Sequence, residues 1–212
     1  MRKVLQIGGL VAAVVLVGFG IAAIVIGVNG RQTVQDSLKQ EQIVGSPDMT
    51  ASGIAAEAQK AGLPAGITLP TANIAGKAIT NGTLARDFAK YMRIHTLEAT
   101  GGVPYAEMPR FATADGKVTN DATKALTSKG QPVSNSARDI WVTETALTTA
   151  LNTSYMAEQL SNFGIVVGIA FMLTGVGFGI LALAGALREP AKKEATAVTP
   201  VAAGTTPAVP VA

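Results

Sequence analysis

Two charge-free apolar runs bracket the chain, Val4–Val28 and Phe163–Leu187, each 25 residues long. A helix needs roughly 20 such residues to cross a ~30 Å hydrocarbon layer, so either run is long enough to span one. Both also carry small residues at heptad spacing. Gly9, Ala13, Gly20, Ala23 and Gly27 fall on one seam of the first, with Leu16 its only large member. Gly168, Gly175, Gly179, Ala182 and Ala186 do the same in the second, interrupted by Met172. Lipid tails give two apolar helices no hydrophobic reason to associate, but small residues let backbones approach until van der Waals packing holds them. These ten residues are expected to be helix-packing positions, span against span in one chain or chain against chain. The expected fold class is an all-α membrane protein, with two transmembrane helices in an antiparallel hairpin and an extracytoplasmic helical domain between them.

Charge sets the expected orientation. Residues 29–162 carry 12 Lys+Arg and 12 Asp+Glu, so the net +3 of the chain comes from its ends, Arg2, Lys3, Arg188, Lys192 and Lys193 against Glu189 and Glu194. Basic residues near span ends stay cytoplasmic, whereas a long connecting segment translocates largely regardless of charge. The division that follows is a cytoplasmic N-terminus (1–3), a first span (4–28) and an extracytoplasmic domain (29–162). A second span (163–187) and a disordered cytoplasmic tail (188–212) complete it. The first run is longer than the 7–15 residues of a signal-peptide core and no small-x-small cleavage site follows before Arg31, which reads as an uncleaved signal-anchor. The expected location is the plasma membrane. There is no cysteine, which excludes thiol catalysis, zinc–thiolate sites, iron–sulfur ligation and disulfide staples.

Between the spans, Arg31–Val44 extends the first helix, with Val34 and Leu38 on one face, until Gly45-Ser46-Pro47 stops it. A short alanine-rich helix is expected over Thr50–Ala61, closed by Gly62. Residues 63–82 are rich in glycine, proline and threonine and read as irregular. Thr83 is the expected N-cap of a helix to about Ala99, with Leu84, Phe88, Tyr91 and His95 on one face and Arg86, Lys90 and Arg93 on the other. Turn signals at Asp115-Gly116 and Gly130-Gln131-Pro132 punctuate residues 103–132, with a short helix over Asn120–Thr127. From Ser136 no glycine or proline occurs before Gly164. One unbroken helix from Ala137 to Leu187 is expected, its inner stripe Ile140, Leu147, Leu151 and Tyr155 diluted by Glu144. The tail has no helical period.

Two stretches, TLEATGGVPYAEMPRF (Thr96–Phe111) and NSARDIWVTETALTTALNTSYMAEQLSNFGIVVG (Asn135–Gly168), resemble an uncharacterised actinobacterial family of small two-span membrane proteins. The resemblance covers both spans and most of the segment between, and it implies no established activity. Members often carry the label aromatic ring-opening dioxygenase. Such enzymes hold iron with two histidines and a carboxylate, whereas this chain has one histidine, so no catalytic residue is transferred.

No grouping in the sequence points to catalysis, a metal or a cofactor. His95 reads as a packed, hydrogen-bonded histidine. Glu144 and Glu158 stand ~21 Å apart on a straight helix, too far to act on one bond, and are expected to be solvated or paired with Arg86, Arg93 or Arg138. The row Arg86, Lys90 and Arg93 reads as a wet face, with anionic headgroups the alternative. GVGFG (175–179) lies inside a span and reads as helix packing rather than a phosphate loop. Without a dense basic patch, nucleic acid is not an expected partner. The expected function is a non-enzymatic structural or accessory subunit of the bacterial cell envelope. Its expected partners are membrane lipids and another membrane or envelope protein, or a second copy. The alternative is an extracytoplasmic ligand-sensing module with a separate output partner.

Overall fold

The computed structural model describes residues 2–184. The second run beyond Ala184, including Ala186 of its seam, and the 188–212 tail lie outside the described residues. Four helices carry the architecture: α1 (Arg2–Gln40), α2 (Ala51–Lys60), α3 (Gly82–Ala99) and α4 (Ser136–Leu183). At 1.5 Å per residue, α1 is about 58 Å long and α4 about 72 Å. Each contains a stretch long and apolar enough to cross a membrane, and only 17% of either stretch is buried within the molecule. Core helices of water-soluble proteins are mostly covered. Here Val4, Phe19, Ile26, Phe163, Val166, Leu173 and Ile180 all stand more than 60% exposed.

Helices α1 and α4 run antiparallel in a register that the small residues set. A Cβ built on Gly20 would lie 2.7 Å from the Gly168 carbonyl oxygen, and one on Gly168 would lie 2.7 Å from that of Gly20. Seven residues along, Gly27 faces the Ser161 carbonyl; seven back, Gly175 meets that of Ala13. Seven further, the Gln6 side-chain amide donates to the Ala182 carbonyl at 3.3 Å. A strict seven-residue repeat on both helices keeps the seam continuous when they wind with a slight left-handed supercoil. Gly9, Leu16, Ala23, Met172 and Gly179 are half-buried along it.

Beyond the apolar stretches the same two helices receive a small domain. Its core gathers Leu38 of α1, Ile54 of α2, Phe88, Tyr91, Ile94 and Leu97 of α3, and Trp141 and Leu151 of α4. Helix α3 lies against the upper half of α4 and runs opposite to it, Gly82 beside Tyr155 and Met92 near Thr143. The irregular stretch 63–82 also feeds this core. Ile74 and Ile79 are each 1% exposed, and Tyr91 donates its hydroxyl to the Ala72 carbonyl at 2.6 Å.

Several boundaries differ from expectation. Helix α1 stops at Gln40, before Gly45-Ser46-Pro47, because the backbone of 43–45 is committed elsewhere. Gln42 turns left-handed at φ 51°, Ile79 N–H donates to the Ile43 carbonyl at 2.9 Å, and Gly76 N–H donates to that of Gly45 at 2.8 Å. Helix α2 matches its reading, with Thr50 Oγ1 accepting from Gly53 N–H. The N-cap of α3 is Asn81, whose side chain accepts from Leu84 N–H at 2.9 Å, and not Thr83. The 103–132 segment is not wholly helix and turn. It holds two short antiparallel ribbons, β1 (Phe111–Ala112) with β2 (Val118–Thr119), and β3 (Thr127–Ser128) with β4 (Gln131–Pro132). Lys129 and Gly130, both at positive φ, make the two-residue turn that matches strand twist between β3 and β4. Only a single helical turn, Ala122–Lys124, stands where the sequence predicts a helix over 120–127.

The seam makes a sharp prediction. Gly168→Val places atoms against the Gly20 backbone, and overpacking of that kind costs about 1–3 kcal/mol. Gly18→Val points into open space and leaves stability unchanged. Loss of helicity during denaturation of the detergent-solubilised protein reads both.

Candidate functional site

The residues that sequence placed on the helices come together at two sites, one at the base of the domain and one at its far end. At the base, Glu158 of α4 is buried, 5% exposed, and fully engaged. It accepts the Gly82 N–H at 2.5 Å, the Gln35 side-chain amide at 3.3 Å and Arg31 Nε at 3.4 Å. One carboxylate thus ties α1, α4 and the N-terminus of α3, where exposed N–H groups and the helix dipole favour negative charge. The position of Gly82 admits no side chain, since a Cβ there would lie 2.7 Å from Tyr155 Cα. The expected partners of Glu158, Arg86, Arg93 or Arg138, are therefore replaced by Arg31, which follows directly on the apolar stretch of α1.

Glu144 is also buried, 6% exposed, rather than solvated, and takes the Thr145 hydroxyl at 3.4 Å. It lines an open groove of about 400 Å³ between α3 and α4 with Arg86, Lys90 and Arg93. That basic row is not simply a wet face. Arg86 stacks 4.6 Å over the Tyr155 ring and Arg93 5.5 Å over Trp141, while Lys90 pairs with Asp87 at 2.6 Å. Guanidinium over an aromatic face gains cation–π attraction without leaving water. Ile140, expected inside, is 41% exposed. Its neighbour Trp141 takes the inner position and donates Nε1–H to the Val103 carbonyl at 3.1 Å.

At the far end stands the grouping that sequence did not assemble. His95, near the end of α3, meets Asp48 from the loop after α1 and Glu57 from the second half of α2. Its Nε2 lies 2.6 Å from Asp48 Oδ2 and 3.6 Å from Glu57 Oε2. One ligand-capable atom from each residue lies within 4.8 Å of the others. All three side chains are a quarter to a third exposed. Asp48 is delivered there by the pairing of 43–45 with 74–79 and by the Ile74 N–H to Met49 carbonyl bond at 3.0 Å. His95 falls one turn after Tyr91 on the inner face of α3, so its direction was legible but its carboxylate partners were not.

The two carboxyls experience this neighbourhood differently. Burial alone would raise Asp48, but the Ser46 hydroxyl, its own backbone amide and His95 together hold it below its ordinary value. Glu57 is raised, first by burial and then by repulsion from Asp48 and Glu98, which His95 only partly offsets. Chemically the arrangement offers an imidazole and two carboxylates, each within reach of solvent. Comparison of the chain with family models, curated proteins and solved structures returns no match.

The raised Glu57 carboxyl has a defined effect on stability. A carboxyl that holds its proton more tightly folded than unfolded contributes stability below its ordinary value of 4.5, and loses it as pH rises through the folded value. Asp48 acts in the opposite sense, contributing above the carboxylate range and losing that contribution on acidification. Glu57→Gln removes the repulsion at neutral pH. In metal-free buffer with EDTA, its melting temperature is expected to equal or exceed that of the parent at pH 7. The difference should shrink or reverse as pH falls through the carboxylate range.

Proposed function

We propose that the chain is a two-pass plasma-membrane protein of the kind its sequence resembles, a non-enzymatic structural or accessory subunit of the bacterial envelope that works by contact. Both termini are cytoplasmic in this reading and residues 29–162 are extracytoplasmic. The observation that carries it is the pair of long apolar helices, each left largely uncovered by the chain itself yet continuing without a break into the small domain. Uncovered apolar surface of that extent calls for lipid or a partner. The Glu158 junction then fixes the domain to the helix pair, so that the domain is presented at a set angle rather than on a tether.

Affinity purification of the tagged full-length protein in mild detergent, followed by mass spectrometry, tests this reading. Stoichiometric recovery of one membrane or envelope protein is expected. Recovery of the chain alone, as a monodisperse species across several mild detergents, contradicts an accessory role.

A further inference from the structure

We propose that Asp48, Glu57 and His95 form a binding site for one divalent transition-metal ion, Zn²⁺ or a first-row neighbour. The inference rests on this cluster alone and is independent of membrane orientation or partner. Three separate segments converge on it: the loop after α1, helix α2 and helix α3. Their donor set is one imidazole nitrogen and two carboxylate oxygens. Imidazole is the residue that selects the class, because Zn²⁺ and its neighbours accept nitrogen readily while Ca²⁺ and Mg²⁺ prefer oxygen.

Spacing suits an ion. Donor atoms about 2.1 Å from a common metal stand roughly 3.0–3.4 Å apart, and His95 Nε2 already lies 2.6 and 3.6 Å from its two carboxylate partners. On binding, the His95–Asp48 hydrogen bond gives way and Nε2 presents its lone pair. Protons therefore compete with the metal, and affinity falls in acid.

Charge argues the same way. A packed histidine is satisfied by one carboxylate, which Asp48 supplies. Glu57 adds a second, 3.6 Å from the same ring nitrogen. Among the described residues, no lysine or arginine forms an ion pair with Asp48 or Glu57; His95 is the partner of both. A dication would neutralise the excess.

The partial exposure of the three side chains leaves room for water to complete the coordination. A bound ion would pin the 41–50 loop and α2 to α3.

The chain has one histidine and no cysteine, so zinc binding by other imidazoles or by thiolates cannot confuse the test. The full-length protein, purified in detergent without a polyhistidine tag and stripped with EDTA, is titrated with Zn²⁺ by calorimetry and by thermal unfolding. Expected are one saturable Zn²⁺ per chain, a rise in melting temperature that EDTA reverses, and little competition from a large excess of Mg²⁺ or Ca²⁺. X-ray absorption at the zinc edge should show one imidazole and otherwise oxygen scattering. Glu57→Gln and His95→Gln should each weaken binding at least about tenfold. If His95→Gln fails to fold, Glu57→Gln decides, since Glu57 is the most exposed of the three side chains. The proposal is overturned by absence of saturable binding, by zinc that lacks imidazole scattering, or by unchanged affinity in Glu57→Gln, each of which would mean an adventitious ion only.

Discussion

Close approach of two backbones is the interaction on which the rest of the molecule depends. Gly20 and Gly168 sit so near that a single added carbon on either would strike the other's carbonyl oxygen, and the same contact repeats every seven residues toward both ends of the pair. Such packing rests on dispersion and fit, joined by the Gln6 hydrogen bond at one end, and needs no excluded water to drive it. It also fixes which residue of α1 faces which residue of α4. Everything above inherits that register. Arg31 and Gln35 reach Glu158 only because Gly27 lies on Ser161 just below them.

Glu158 converts the register of the pair into the placement of a domain. Buried carboxylates are costly unless every oxygen is answered, and here a guanidinium, an amide and a helix N-terminus answer it. The carboxylate meets the first N–H of α3, so that helix starts at the junction and climbs along α4 in the opposite direction. Near its other end it presents His95. The metal site we propose and the seam are thus linked by one rigid helix. At that far end Asp48 and Glu57 share one imidazole, and burial together with repulsion from Asp48 raises the Glu57 carboxyl.

The parts of this arrangement legible in sequence were those written in local periodicity. The two long helices, their heptads of small residues, the short helix α2 and the inner face Phe88-Tyr91-His95 all depend on spacing within one segment. What escaped was set by contacts between segments. Helix α1 ends at Gln40 because 43–45 pair with 74–79, and neither strip shows the alternation that marks a strand. Ile140 and Trp141 are adjacent and both apolar. Only the carbonyl of Val103, brought over by the 103–132 segment, gives Trp141 the inner place. Asn81 and Thr83 are both good caps. Asn81 takes the role because the helix must begin at Gly82, whose N–H answers Glu158 and whose lack of a side chain lets it lie against Tyr155. The Asp48–Glu57–His95 grouping joins residues up to 47 apart, which spacing alone does not reveal.

Because the chain contains no cysteine, the seam itself can be interrogated with a single engineered pair. A Cβ built on Gly179 would lie 3.6 Å from the Ala13 Cβ, inside the range that a disulfide spans. Ala13→Cys with Gly179→Cys, oxidised in membranes and then cleaved in the loop between the helices, is the most direct test. Two fragments that stay joined until reductant is added are the predicted result. Disulfide-linked dimers without the intrachain bond would contradict the account, because the small residues would then pair chain with chain.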